Sequence, residues 1–405
     1  LLEAGTNVAV FTQLVDGFDG EQPGDVVIGA PIAWTTDAEF SITASRNLII
    51  GEAITGPNGH LAISAGDTIT TPSIYSTSDG GTVTNPQPAG AISVGIFELI
   101  GGQWVQDSPD NPSFAAGDFR LDTTELPNVS ASFQRSFGGD GQGDTPLLIR
   151  DVFGLQGIGT NDALAAASFA LDADIDATGT RNWNPSAASP TGFLGFEPQD
   201  FNGSFRGVPS GSEAGAHSID GLYISREDEP VGLFANHGGS TSNLRITNVD
   251  ISGSSSGAIA ALNSGSIFQV FVNGRIAGSV VGGVAATNAA NARVSQAGVD
   301  AEIIVPNGGI GGGIAGINDS IFFDNEGPGA ALTGDIQTSY ALGQISSTGT
   351  ADAIGGLVGI NRGDINQSLA ANALPSSLEA GDVGALVGRT ELARGSPVSE
   401  PGRAI

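Results

Sequence analysis

The chain has 405 residues, 62 of them Gly, with 43 acidic against 14 basic side chains and a net charge of -29; every basic residue is Arg, and Lys, Cys and Met do not occur. Without Cys there is no disulfide, thiol nucleophile, iron–sulfur cluster or Cys-based zinc site, and phosphate is repelled over most of so acidic a surface, which excludes a nucleic-acid binder. The lack of Met reads as a mature or trimmed segment, and no run of about 18 apolar residues offers a membrane helix, so a soluble chain is expected, with a 40% hydrophobic content sufficient for a core.

The first ninety residues read as short strands. Asn7–Thr12, Asp25–Ile28, Glu39–Ala44, Asn47–Ile50 and His60–Ala65 each place aliphatic or β-branched residues at alternating positions, with Gly, Pro, Asn and Asp between them. No 3.6-residue period is sustained, so helices are not expected there. Leu1 is expected to begin within a strand.

From residue 91 to about 240 the composition shifts. Twelve of the 19 Phe and two of the three Trp (Trp104, Trp183) fall here, with Phe114, Phe119, Phe133, Phe137 and Phe153 set among polar segments. The stretch is expected to leave strict repetition and to pack its own aromatic cluster. Asn161–Phe169, rich in Ala, is the one segment expected to be a short helix.

From about residue 231 the chain repeats. Segments beginning at Val231, Gly257, Gly282, Gly312, Gly355 and Gly384 share a Gly-small-aliphatic-small-Gly/Ala-x-Asn core, and Asn236, Asn263, Asn288 and Asn318 step by 27, 25 and 30 residues. The next step, 43 residues to Asn361, fits two shorter units, one around Asp335–Gly343. Repeats of this length built from short strands and Gly turns are coils of a β-solenoid, stacked by parallel pairing, with aliphatic residues inside and Asn at corners, where amides can form ladders. About 22 residues per coil would give roughly 18 coils and a rod of about 90 Å. The expected fold is thus all-β, a right-handed parallel β-helix with an aromatic-rich non-repetitive insert. Its parts are N-terminal coils at 1–90, the irregular region at 91–230, repeats at 231–392 and a Pro/Gly-rich tail at 393–405, with further sequence expected to flank both ends.

Val231-Gly232-Leu233-Phe234 and the run from Gly355 to Ser368 resemble the GLUG repeat of bacterial surface proteins, and Phe201–Gly207 with His217–Ile224 is similar to the segment that precedes such repeats. The front of the chain, through Gly5–Val8, Pro31–Trp34, Leu48–Ile50, Ala53-Ile54, Asp151–Ile158 and Asp174–Ala177, resembles filamentous-haemagglutinin-type exoproteins of two-partner secretion. The segments Ala289–Glu302 and Ile321–Gly334 depart from the repeat's usual tail, which leaves the length of those coils open. The resemblance implies a right-handed parallel β-helix, export with an outer-membrane secretion partner, and adhesion or surface structure.

Each chemical motif has a plainer reading. Gly311–Gly316 matches the dinucleotide pattern with Asp335 downstream, but that fingerprint needs a strand before and a helix after; in register with the repeat it reads as a Gly-rich corner. Asp172, Asp174 and Asp176 have the spacing of a calcium loop, yet Ala177 and Trp183 stand where an EF-hand wants Gly and Glu. The loop Gly138–Asp144 is acidic and suits a solvated turn, with Ca²⁺ as the one ion it could hold. His60, His217 and His237 form no metal pair and read as surface or turn residues. The acceptor patterns at Asn128, Asn202, Asn318 and Asn366 are expected by chance in an Asn- and Ser-rich chain.

No catalytic, cofactor-binding or metal-binding residue is therefore assigned. The expected function is that of a non-enzymatic, secreted, bacterial cell-surface β-helix, an adhesin or a self-assembling filament or matrix component. Its partners would be cell surfaces, glycans or further copies of itself, and not nucleic acid or membrane interior. The aromatic stretch at 91–200 is the expected lateral patch. The alternative is a polysaccharide lyase or glycosidase on the same fold, working through paired carboxylates. The acidic, Lys-free surface favours solubility and saline surroundings.

Overall fold

The computed structural model describes residues 1–12, 24–71, 74–76, 82–84, 90–122, 130–208, 215–322, 331–374 and 378–393. The chain is all-β, and its three large sheets are paired in parallel throughout. A nine-stranded sheet runs from Val8–Phe11 through Glu39–Ala44, Ile54–Thr70 and Ile92–Gln106 to Phe114–Leu121 and Ala131–Arg135. From residue 147 the chain alternates between a 17-stranded sheet and a 7-stranded one. Among the described residues the only antiparallel sheets are two small hairpins, Ile74–Ser76 with Thr82–Thr84 and Ser320–Phe322 with Ala331–Thr333.

The strands form where one face is apolar. In Glu39–Ala44, Phe40, Ile42 and Ala44 are buried while Ser41 and Thr43 face outward, the period of two that a half-buried strand requires. Parallel register then stacks like residues into columns. Ile246, Val272, Val299 and Ala341 make one interior column; Ile251, Ile276, Ile303 and Ile345 make another. Each Ile or Val in these columns contributes about 1.5–3 kcal/mol by leaving water.

Several expectations change. His60–Ala65 is not a short strand but the middle of a 17-residue one, Ile54–Thr70, which bends at irregular pairings instead of ending. Leu1 precedes a 3₁₀ turn, Leu2–Ala4, closed by Gly5 at φ 72°. Besides the expected helix, found at Asp162–Ala166 with Asn161 as its N-cap, Val152–Gln156 is helical with Asp151 as its cap.

The aromatic stretch is no insert in its first part, because Ile92–Gln106 pairs directly with Ile54–Thr70. Its extra rings replace aliphatic residues at inward positions and leave the chain's path unchanged. Phe97 lies beside Phe119 in register and Trp104 beside Phe133; the two pairs stack at 5.4 and 5.5 Å between centroids. Phe153 and Trp183 close over Phe119. These rings are buried, so the expected lateral patch is core. The departure from repetition is confined to the later segment, where two short helices and the 3₁₀ turn Thr178–Asn182 interrupt the strands.

The repeats are also longer and fewer than a 22-residue unit predicts. Asn318 pairs directly with Asn361, so the 43-residue step is one repeat and not two. It is lengthened by the paired strands Ser320–Phe322 and Ala331–Thr333, while Asp335–Gln337 lies in the 17-stranded sheet between Arg293–Ser295 and Asp364–Asn366. The seven rungs of the smaller sheet span about 29 Å at the usual parallel spacing.

Candidate functional site

At the corner where the five middle strands of the seven-stranded sheet hand over to the larger sheet, one polar side chain points inward. These residues are His237, Asn263, Asn288, Asn318 and Asn361, aligned rung over rung. The first four are fully buried. His237 Nδ1 lies 2.9 Å from Asn263 Oδ1, Asn263 Nδ2 donates to Asn288 Oδ1 at 2.8 Å, Asn288 Nδ2 to Asn318 Oδ1 at 2.8 Å, and Asn318 Nδ2 to Asn361 Oδ1 at 2.9 Å. Asn361 Nδ2 ends the series on the carbonyl of Gly363. Each bond contributes about 1 kcal/mol net, whereas a buried amide left unpaired costs about 1–3 kcal/mol.

The ladder corrects the expected alignment by one residue. Asn236 faces outward, pairs with Leu262 and donates to Asp200 at 2.7 Å; His237 takes the inward place. Ser240 and Ser266 are register partners, so aligning His237-Gly238-Gly239-Ser240 with Asn263-Ser264-Gly265-Ser266 is the signal that finds it. Gly265 is required here because a Cβ would collide with the carbonyl of Gly239 in the rung below. Burial pushes the His237 imidazole below its ordinary pKa, against the opposing bond to Asn263. His237 is thus not the surface or turn residue expected.

His60 is not a turn residue either. It sits on a strand beside Glu39, its register partner, with Nδ1 3.4 Å from Glu39 Oε2 and Nε2 2.9 Å from Glu98 Oε2. Glu98 is held below the usual carboxylate range, first by the bond from His60, against burial. His217 Nδ1 lies 3.5 Å from Asp174.

The other flagged residues are separated. Asp172 pairs with Arg150, Asp174 accepts from the backbone N–H and hydroxyl of Ser218, and Asp176 accepts from Thr178. The three do not converge, and among the described residues no group of three acidic or His side chains is arranged to hold a metal ion. In the Gly138–Asp144 loop, Asp140 turns inward on its own loop and accepts from Thr145 and from the backbone of Gln142. Gly311–Gly316 joins strand Ile310–Gly312 to strand Ala315–Asn318, with no helix after it. Asp335 pairs with Arg293 at 3.6 Å. Asn318 is consumed by the ladder, whereas Asn202 and Asn366 are exposed; Asn128 lies outside the described residues.

Ion pairs link successive repeats on the outside. Arg389 reaches Asp352, Asp382 and Glu391, and Arg362 reaches Asp319 and Glu391. Arg389 is raised by its bond to Asp352. Burial would push Glu391 up, but Arg362 and Arg389 outweigh it and hold it below the usual range. Arg135 is the buried member of this class, 4% exposed, held by Asp151, Gln106 and the carbonyl of Pro112.

No protein-family model matches the chain. Over 243 residues it is 30% identical to halomucin from Haloquadratum walsbyi, an alignment that covers 57% of this chain and 2% of that protein. The chain therefore spans a small fraction of the relative's length. Among solved structures, a Bacteroides ovatus protein described as an immunoglobulin A1 protease superposes with a TM-score of 0.46 at 20% identity, over 62% of this chain and 76% of that one. Likeness at that level carries no assignment of fold or function. Among the described residues no helix is long and apolar enough to cross a membrane.

Proposed function

We propose that the chain is a right-handed parallel β-helix serving as a non-enzymatic, extracellular or cell-surface structural or adhesive protein. The observation that carries this reading is the unbroken rung-over-rung register from Phe201 through His237, Asn263, Asn288, Asn318 and Asn361 to Thr390. A stack of that kind presents long, flat side walls and spends its polar interior on holding coils together, which suits a scaffold. The similarity of part of the chain to a protein named halomucin supports the same reading, as does the resemblance to GLUG-repeat and filamentous-haemagglutinin-type exoproteins. In that reading the chain is exported by two-partner secretion, and it acts on neighbouring surfaces or on copies of itself.

Negative-stain electron microscopy at two concentrations, paired with a polysaccharide turnover panel, tests the proposal. Elongated particles, alone or joined end to end, with no new reducing ends or unsaturated products, are expected. Compact particles overturn the β-helix, and turnover of any polysaccharide overturns the non-enzymatic role.

A further inference from the structure

The larger sheet has a left-handed residue at one bend of each repeat, and five of these stack: Asn243, Gln269, Gln296, Thr338 and Gln367 have φ between 49° and 53°, while Asn248, Gly274 and Gly343 mark a second bend further along. Two residues beyond the first bend, the same outer face carries a second column in register, Arg245, Phe271, Gly298, Tyr340 and Leu369. Four of the five bend side chains are exposed, and Gln269 Nε2 donates to Gln296 Oε1 at 3.1 Å on the surface. In the second column, the Arg245 guanidinium lies 4.9 Å from the centre of the Phe271 ring. Tyr340, 40% exposed, folds back over Gly298, where any Cβ would collide with its ring. A ring therefore covers the one rung that has no side chain, and the aromatic surface runs on across three coils.

Between the columns lies an open groove of about 550 Å³, lined among others by Asn243, Arg245, Gln269, Phe271 and Gln296. On a molecule with 43 acidic residues, the lining holds amides, one guanidinium and a ring but no carboxylate. Amides both donate and accept, so they match hydroxyls in either sense. Exposed rings offer a flat apolar face to the C–H side of a pyranose. Concave surfaces that combine apolar walls with a few placed polar groups are where ligands bind. Two rungs measure about 9.6 Å, close to the length of a disaccharide unit, so the columns repeat in step with a sugar chain laid along the stack.

We propose that this groove, together with the Tyr340 ring that continues its second column beyond the groove lining, binds a neutral polysaccharide, its sugar rings stacked on Phe271 and Tyr340 and its hydroxyls bonded by Gln269, Gln296 and Arg245. The proposal rests on the surface-protein reading above and names the chemical class of its partner.

Native affinity electrophoresis of the full chain tests it, with hydroxyethylcellulose, a mixed-linkage β-glucan, a galactomannan and alginate as gel-embedded probes. At least one of the three neutral polymers is expected to retard the protein. Tyr340→Ala and Gln269→Ala, both at exposed positions, are each expected to raise the apparent dissociation constant at least tenfold with an unchanged circular dichroism spectrum. Retardation by none of the neutral polymers, by alginate alone, or equally for the wild type and a Gln269→Ala/Tyr340→Ala double variant overturns the proposal. The outcomes separate from those above: rods that bind no glycan remove the groove and leave the scaffold, whereas a glycan that is bound and cleaved keeps the groove and removes the non-enzymatic role.

Discussion

The Nδ1–H of His237 donates to the side-chain oxygen of Asn263 at 2.9 Å, with both side chains fully buried. Asn263 Oδ1 can only accept, and its amide nitrogen is already committed to Asn288, so the ladder's polarity assigns the histidine proton to Nδ1. The hydroxyl of Thr241 then donates to Nε2 at 3.0 Å. The imidazole is neutral, and each rung-to-rung donor in the series points toward the C-terminal repeats, an arrangement in which bonds polarise one another.

Stability is expected to fall with acidification in a window set by this residue. The folded-state pKa of His237 lies below its unfolded value of 6.5. The unfolded chain therefore takes up the proton first as pH drops. The contribution is complete above about pH 6.5 and is lost as pH falls through the folded pKa, at about 1.4 kcal/mol per unit of separation. Urea midpoints at pH 8, 6 and 5 measure it. A His237→Asn variant, which can keep an amide in the ladder, is expected to lose this slope; an identical slope in that variant would refute the assignment.

Asn288→Ala removes the middle of the ladder, leaving the amide nitrogen of Asn263 with only the carbonyl of Arg293 at 3.4 Å and taking the Asn288 donor from the amide oxygen of Asn318. We expect a loss of about 2–5 kcal/mol, from two buried groups left without their partners. Gln296→Ala, on the surface, is expected to stay within about 0.5 kcal/mol of wild type. Chemical denaturation of the pair decides whether the ladder is structural.

Phe119 touches Phe97, Phe133, Phe153 and Trp183, so Phe119→Ala is expected to cost about 3–5 kcal/mol. All three Trp are about 1% exposed, and native fluorescence should be blue-shifted and poorly quenched by iodide. Ready quenching would place those rings at the surface instead.

Added salt should stabilise the fold. A net charge of -29 repels itself in the compact state, and exposed ion pairs such as Arg46 with Asp25 contribute little to offset it. The thermal midpoint is expected to rise between 0.05 and about 1 M NaCl, where the screening length shortens from over 10 Å to about 3 Å. A falling midpoint would mean that the ion pairs between coils dominate.

What could be read from the residues was whatever repeats locally. Glu39–Ala44 is found with the expected bounds because its alternation is complete, and the short helix at Asp162–Ala166 follows from its Asn161 cap and Ala content. The ladder was half legible: Asn263, Asn288 and Asn318 share a spacing signal, but His237 is a different residue type, and the neighbouring Asn236 captured the alignment. The 43-residue coil was misread because an excursion and a second coil have the same length in sequence and differ only in what pairs with what. Aromatic richness marked Phe97 to Phe153 as a region apart, although ring size says nothing about whether a strand stays in the sheet. The groove columns were invisible, since Arg245, Phe271 and Tyr340 belong to one face only after three coils are laid in register.

The paired strands Ser320–Phe322 and Ala331–Thr333 lengthen one repeat, and Asn361 resumes the alignment after them. Closing a longer excursion costs little, about 0.6 kcal/mol for each doubling of its length, and that cost falls on a single rung. The stack therefore separates two kinds of inheritance. Corner residues are bound to their neighbours above and below and must change together, while the excursion meets the next repeat only at its base, where the hydroxyls of Ser320 and Thr333 donate to Arg362 and Asp364. New surface features can be lengthened, exchanged or lost one coil at a time along a spine that does not register the change.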